Sequence, residues 1–231
     1  MERIHKDLNT LKWGLPIALI IYGFWLFSII LGFSLPIRWD NPWIYLRILI
    51  QMHLFTGLFI TAHDAMHGTV SRIKWINDGI GWICTLSYAL FFYNRLFPKH
   101  HQHHQFVHTE KDPDYSHHSF FRWYFQFFFQ YFSILQYLLL NGMFFFLQWV
   151  FKISQANLIV FWILPSILSS LQLFYFGTYL PHHGEINNAH QSRTQSKNHL
   201  WAFMTCYFFG YHYEHHDSPH IPWWRLYLQK S

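Results

Sequence analysis

Long stretches without a charged residue limit what this chain can fold into more than any other feature of its sequence. No Asp, Glu, Lys or Arg occurs between Lys12 and Arg38, and Gly14 to Phe33 alone supplies the roughly 20 apolar residues that cross a bilayer's hydrocarbon. We predict three more spans, over about Ile48 to Ala62, Trp123 to Phe151 and Leu158 to Leu180; the first of these could start near Ile44, with Arg47 reaching toward the headgroups. The expected fold is therefore an all-α integral membrane protein with four transmembrane helices.

The composition supports a bilayer as the solvent of this chain. Its 231 residues are 52% hydrophobic and 12% charged, whereas charged residues make up about 25% of an ordinary soluble domain. Cys84 and Cys206 are too few and too far apart for a disulfide framework or a thiolate metal site. The formal charge of +5 is not gathered into a Lys/Arg block or a basic-aromatic patch, which argues against nucleic acid as a partner.

The distribution of basic residues predicts the orientation. With four spans, the N-terminal tail, residues 63–122 and the segment after Leu180 share one side and hold 13 of the 16 Lys and Arg residues. The positive-inside rule places this side, with both termini, in the cytoplasm. The short apolar segment Ile80 to Phe92 is predicted to be an interfacial helix, because a fifth span would separate the histidines on either side of it. No internal repeat or linker divides the chain, so residues 1–231 are predicted to form a single membrane-embedded domain.

Three short histidine clusters, HDAMH, HHQHH and HYEHH, recur on the predicted cytoplasmic side. Positions three or four apart on a helix lie within about 60° of one another, so each cluster can direct its imidazoles at one metal site. Asp64 and Glu214 point away from these directions, so the pattern does not suggest the carboxylate bridges of soluble di-iron bundles. The predicted ligands are His63, His67, His100, His103, His104, His212, His215 and His216.

The number of histidines narrows the choice of metal. Imidazole suits Fe, Zn, Cu or Ni, so ligand type alone does not identify the ion. Eight histidines exceed the needs of one tetrahedral zinc, whereas two irons with about four or five nitrogens each would use them and leave a position for oxygen. His182, directly after the fourth span, is a candidate ninth ligand at the same face. His101 is expected to point away from the site, and His53 is interpreted as a buried, hydrogen-bonded residue rather than a pathway group.

Segments around the clusters carry a resemblance to a known family. They are HDAMHGTV at 63–70, DPD at 112–114, FGTYLPH at 176–182, YHYEHH at 211–216 and PWWRL at 222–226. The clusters resemble those of the membrane fatty-acid desaturase and hydroxylase superfamily, and the flanking residues are most similar to bacterial-type β-carotene 4-ketolases. Two positions depart from the ketolase pattern: His183 stands where Arg is usual, and residues 217–219 replace a common Leu-His-Pro.

The resemblance implies a cofactor, a substrate and partners. The eight histidines would bind two irons, with His182 as the extra ligand, in a cap on the cytoplasmic side. Dioxygen would be the co-substrate, and an external ferredoxin-like donor would supply electrons. β-Carotene, taken from the membrane lipids, would be hydroxylated twice at ring carbon 4 and would lose water to give echinenone and then canthaxanthin. A long apolar slot ending at the metals is expected. Asp112 and Asp114 anchor the helix after the second cluster, orient a ligand imidazole or, as the preferred interpretation, form an acidic loop that contains proline.

Other functions remain open from the sequence. A related carotenoid hydroxylase, a fatty-acyl desaturase or an alkane hydroxylase would use the same histidine pattern. A membrane metal transporter is the alternative from a different class. Transport sites usually lie near the bilayer midplane, whereas these histidine clusters are predicted at the ends of spans.

Overall fold

Helices form the regular secondary structure throughout the computed structural model, which describes residues 2–195 and 197–229. An isolated antiparallel bridge joins Thr194 to Tyr211. The helices are α1 (Glu2–Ser34), α2 (Trp43–Met66), α3 (Lys74–Ala89), α4 (Tyr93–Phe106), α5 (Phe120–Tyr131), α6 (Ile134–Val150), α7 (Gln155–His182), α8 (His199–Cys206), α9 (His212–Asp217) and a closing 3-10 helix (Trp223–Leu228).

Three of these helices are long and apolar enough to cross a membrane. They are residues Lys12–Ser34 of α1, the whole of α2 and the whole of α7. On the outer face of α1, Phe24 and Phe27 are 61% and 66% exposed. Such a surface is unfavourable in water and suited to lipid, so the chain is an integral membrane protein.

The third predicted span is divided into two helices. The chain bends by 80° between α5 and α6. The two helices together, but neither one alone, are long and apolar enough to cross a membrane. Ser133 starts the second half, because its hydroxyl accepts from the Gln136 N–H while the Gln136 side chain accepts from the Ser133 N–H. The expectation of an unbroken run from Trp123 to Phe151 is therefore wrong, and the number of candidate spans is three or four.

Two other predicted segments can be compared with the structure. α2 begins at Trp43, close to the alternative start at Ile44, and Arg47 lies inside this helix with its guanidinium over the Phe161 ring at 4.6 Å. α3 covers most of the predicted interfacial segment and is not among the candidate spans. It ends at Ala89, the next residue, Leu90, is left-handed with a φ of 53°, and α4 begins at Tyr93.

The main apolar core joins α1, α2, α3 and α7. Trp25 of α1 packs edge-on against Phe55 of α2 with ring centroids 5.6 Å apart, and Phe55 packs against Tyr88 of α3 at 5.7 Å. The Tyr88 hydroxyl donates to the Ser166 carbonyl of α7 at 3.2 Å. These four helices therefore form the frame that holds the histidine-bearing segments.

Two prolines shape α7. The helix contains two π-helical stretches, Ile159–Ile163 and Phe174–Tyr179. Pro165 and Pro181 follow them closely and lack the N–H that would bond back four residues, so the preceding turn widens. The second widened turn leads directly into His182.

Hydrogen bonds show which ends of the spans lie together. Asn157 donates to the carbonyls of Gly32 and Leu35 at 2.6 and 2.7 Å, so the start of α7 meets the end of α1. Since α2 runs back from that end, the C-terminal ends of α2 and α7 share the opposite end of the bundle. Three points stay predictions: the membrane side that this end faces, the position of both termini, and the single domain over residues 1–231. Met1, Ser196, Lys230 and Ser231 lie outside the described residues.

Candidate metal centre

Four helices bring the predicted ligand histidines to one end of the bundle: α2 and α7 with their C-terminal ends, and the shorter helices α4 and α9. α2 carries His63 in its last turn and has His67 as its C-cap. His182 ends α7. The second cluster lies on α4 and the third on the short α9. All of the histidines predicted as ligands therefore meet at this end.

The nine imidazoles form two adjoining groups, and in each group the nearest ring nitrogens lie within 4.8 Å of one another. The groups touch through His104 and His216, whose ring centroids are 4.3 Å apart. The five-histidine group is His63, His67, His100, His104 and His215, and the four-histidine group is His103, His182, His212 and His216.

Ring nitrogens face each other within both groups. His67 Nε2 lies 2.6 Å from His100 Nε2 in the five-histidine group. His212 Nε2 lies 2.9 Å from His216 Nε2 in the four-histidine group. Two facing imidazole nitrogens can share only one proton, whereas a metal ion accepts a lone pair from each. The arrangement thus fits nitrogen ligands around metal ions.

Several ring nitrogens are buried without a partner. Both nitrogens of His63, Nε2 of His182 and Nδ1 of His212 make no hydrogen bond among the described residues. Burial, joined by the charges of neighbouring histidines, lowers the pKa of His100 and of His215 well below its usual value, so these rings are neutral. Neutral imidazoles with free lone pairs are the form that binds transition metals. The residues present therefore fit a pair of metal ions.

Asp112 orients one of these imidazoles. Its Oδ1 accepts from His103 Nδ1 at 2.9 Å, which turns His103 Nε2 toward His216 Nε2 at 3.2 Å. The pKa of His103 is raised above its usual value. Burial alone would lower this pKa, but the hydrogen bond to Asp112 and the charges of Asp114 and Asp112 have the larger combined effect. A carboxylate behind a ligand imidazole holds its tautomer and direction. The preferred interpretation of an acidic loop was therefore incomplete.

His182 is held in the same manner by backbone groups. Its Nδ1 donates to the Gln191 carbonyl at 2.8 Å, which leaves Nε2 free on the inner side. The carbonyl of His182 accepts from His108 Nε2 at 3.0 Å. No motif in the sequence pointed to Gln191, because the segment after α7 that carries it has no regular structure.

Asp64 has a structural role that its position between two predicted ligands did not suggest. Its Oδ2 accepts from the backbone N–H of Trp223 at 3.1 Å, across 159 positions of sequence. This bond ties the PWWRL segment to α2 beside the histidines. The other carboxylate oxygen, Oδ1, lies 3.7 Å from His63 Nδ1, so Asp64 is closer to this imidazole than its helical position predicts.

The two remaining histidines discussed from the sequence lie outside both groups. His101 packs against Phe97 with ring centroids 4.4 Å apart. His53 stacks on Tyr207 at 4.3 Å and 17°, and both of its ring nitrogens are buried. The burial was expected, but neither nitrogen makes a hydrogen bond among the described residues, so the predicted hydrogen bonding of His53 is wrong.

An apolar cavity of about 490 Å³ ends at the histidines. His63, His100, His103 and His212 line this end. The carboxyl group of Asp114 also lines it, accepts from the Tyr131 hydroxyl, and has its pKa raised to about 6, chiefly by burial. The cavity thus joins the histidine groups to an otherwise apolar chamber.

α7 forms the long wall of the cavity. The lining residues Trp162 and Thr178 lie 16 positions apart on it, which corresponds to about 20 to 24 Å of helix. Two lining residues near the other end, Phe145 of α6 and Ile167 of α7, are also 48% and 50% exposed. The cavity is therefore extended along α7, and it opens on the lipid-facing surface between α6 and α7.

Gly177 sets the shape of the inner end. A methyl group added there would lie 2.5 Å from Phe209 Cδ1. The Phe209 ring in turn packs edge-on against His63 and His212, with centroids 4.8 and 5.3 Å away. The absence of a side chain at Gly177 thus determines where this ring, and through it two of the imidazoles, can lie.

Replacing Gly177 with alanine should destabilise the protein. Pushing the Phe209 ring aside should lower the free energy of unfolding by about 1–3 kcal/mol, visible as a lower Tm of the detergent-solubilised protein. Gly142 of α6 is the matched control, because an added methyl meets no described atom within 4 Å. Gly142→Ala should leave the Tm unchanged or slightly higher, and equal Tm values for the two variants would contradict this packing role.

Apolar helices that end in a buried double cluster of imidazoles define an integral membrane protein with a histidine-rich centre suited to two metal ions. Comparison with known proteins assigns the family. The family model described as fatty acid desaturase matches residues 40–146 and 134–229. The chain belongs to the fatty acid desaturase family.

Within that family the sequence groups with the β-carotene ketolases. It is 39% identical over 189 residues to the β-carotene ketolase of Paracoccus sp. (strain PC1), covering 75% of this chain and 73% of that protein. It is 40% identical over 185 residues to the β-carotene ketolase of Haematococcus lacustris, covering 75% and 58%. Over 182 residues it is 40% identical to the zeaxanthin 4-ketolase of Chlamydomonas reinhardtii, covering 75% and 41%. The chain thus spans about half of the algal relatives' length, and no solved structure matches it significantly.

Proposed function

We propose that this chain is a β-carotene ketolase that converts the ring methylene at carbon 4 into a carbonyl group. The observation that carries the proposal is the meeting of two all-histidine groups with the closed end of an extended apolar cavity. In this proposal the five-histidine and four-histidine groups each hold one iron. Bound iron would supply the activation of dioxygen, with electrons from an external, ferredoxin-like donor.

The shape of the cavity supports a thin, elongated and apolar substrate. The cavity of about 490 Å³ follows about 20 to 24 Å of α7. This extent suits an extended hydrocarbon chain. Its mouth between α6 and α7 suits entry from lipid, and its aromatic lining excludes water from the reacting end. One end ring of a carotenoid would then lie beside His63, His100, His103 and His212.

The chemistry balances as two rounds at one carbon. In each round one dioxygen, two electrons and two protons convert a ring C–H into C–OH and release one water. The second round gives a geminal diol, which loses water to leave the ketone. The chain's part is to hold the ring carbon in place through both rounds, since a ring that left after the first would depart as an alcohol.

We also infer that the histidine end faces the cytoplasm. Under this orientation 13 of the 16 Lys and Arg residues lie on the side of the histidines, as the positive-inside rule requires. A soluble electron donor would then reach the histidine groups without crossing the bilayer.

Expression in a heterotrophic host that accumulates β-carotene tests the proposal. We expect echinenone and canthaxanthin in the pigment extract, identified by mass spectrometry, and none in cells that carry the empty vector. Unchanged pigment in cells that contain folded, iron-loaded protein would contradict ketolase activity. A new double bond in the membrane fatty acids, with unchanged pigment, would favour a fatty-acyl desaturase instead.

A further inference from the structure

A hydroxyl group on the inner wall of the substrate cavity makes no hydrogen bond within the described part of the chain. Thr178 lines the cavity and is 6% exposed, and its hydroxyl makes no hydrogen bond among the described residues. Among the other hydroxyl-bearing residues that line the cavity, Tyr88, Tyr131, Ser166 and Ser170 donate to protein groups, and Tyr137 is 56% exposed. Since Thr178 lines the cavity and its hydroxyl has no partner within the described protein, this group can bind a polar group that enters the cavity.

The local helix geometry explains why Thr178 is free. Helical threonines usually donate to the carbonyl four residues back, as Thr56, Thr61 and Thr205 do here at 3.2, 2.7 and 2.7 Å. Thr178 lies in the π-helical stretch before Pro181, where the turn is wider. Its hydroxyl makes no such bond, and the side chain remains available at the cavity wall.

Thr178 also lies at the reacting end of the cavity. The preceding residue, Gly177, contacts Phe209, whose ring packs against His63 and His212. His182 follows four positions later, about one helical turn farther along α7. A ring carbon held beside the histidines would thus present its substituents to Thr178.

We propose that the Thr178 hydroxyl binds a hydroxyl group borne by the substrate ring at, or next to, the reacting carbon. This assignment rests on the proposed ketolase function and identifies a specificity residue within it. The ring hydroxyl has two chemical sources: the carbon-4 alcohol left by the first round, or a carbon-3 hydroxyl on a ring hydroxylated beforehand. In the first case Thr178 retains the alcohol for its second oxidation. In the second it selects hydroxylated carotenoids.

The test compares Thr178→Val, which removes the hydroxyl at nearly constant shape, with Thr178→Ser, which keeps it. Thr205→Val is the matched control, because that hydroxyl bonds only within its own helix. The first readout is the ratio of 4-hydroxylated to 4-keto pigment made from β-carotene in the same cells, which does not depend on the amount of folded protein. The second is the affinity of anaerobic, iron-loaded protein, without an electron donor, for β-carotene and for zeaxanthin.

A lost neutral hydrogen bond corresponds to about a 2- to 10-fold effect. A rise of that size in the alcohol-to-ketone ratio for Thr178→Val, absent in Thr178→Ser and Thr205→Val, would support the carbon-4 source. An unchanged ratio with a similar loss of affinity for zeaxanthin alone would support the carbon-3 source. Ketone formation by wild type with no shift in either readout, or equal shifts in Thr178→Ser, would overturn the assignment of Thr178. Wild-type protein that makes no oxygenated pigment would instead overturn the proposed function.

Discussion

Replacing His63 or His212 with alanine should abolish ketone formation, with a loss of more than about 100-fold, because even residues that only support metal ligands cost about 10- to 100-fold. The two residues represent the five-histidine and four-histidine groups, and both line the cavity. Both ring nitrogens of His63, and Nδ1 of His212, are buried without a hydrogen-bond partner among the described residues. The measurement is the pigment yield per folded protein, together with the iron content of the purified protein.

His220→Ala is the matched control for these variants. His220 is exposed and lies close in sequence to the third cluster, but it belongs to neither histidine group. This variant should keep wild-type activity and iron content. Full activity and full iron in His63→Ala or His212→Ala would contradict the assignment of that histidine group as a metal site.

Replacing Asp112 with asparagine should weaken iron binding by about 10- to 100-fold, as loss of the group behind a ligand imidazole usually does. Asp112 accepts three hydrogen bonds: from His103 Nδ1 and the Asp114 N–H at Oδ1, and from the His108 N–H at Oδ2. An amide has only one acceptor oxygen, so asparagine must set its NH₂ group against one of these N–H donors. The imidazole of His103 would lose its fixed direction. Competition with a chelator for iron measures the effect.

Asp217→Asn is the matched control for Asp112→Asn. Asp217 also accepts from a histidine, His190, at 3.2 Å, but its side chain is exposed. We expect the chelator competition of this variant to match wild type. If both variants held iron as tightly as wild type, the orienting role of Asp112 would be wrong.

Local spacing made much of the site predictable from sequence. Histidines three or four apart must share a helix face, and the uncharged spans place the three clusters at one side of a bilayer. His182 could be added because it directly follows a span. These arguments need only helix geometry and hydropathy, and the structure brings all nine residues together.

Other features depend on contacts that local spacing does not determine. The bond between Asp64 and Trp223 crosses 159 positions of sequence, and the packing of Gly177 on Phe209 joins segments that only the fold brings together. The bend before Ser133 was visible as a capping sequence with Gln136. It was missed because the absence of charge from Trp123 to Phe151 suggested a single span. The unpaired hydroxyl of Thr178 depends on a π-helical turn, and a threonine in the sequence does not by itself predict such a turn.

The position of the metal ions within the two histidine groups is the central claim. Anomalous difference maps recorded on both sides of the iron absorption edge, from crystals of the purified holoprotein, test it most directly. We expect two iron peaks, one enclosed by His63, His67, His100, His104 and His215, the other by His103, His182, His212 and His216. A single peak, peaks outside these histidines, or a signal that appears only at the zinc edge would contradict it.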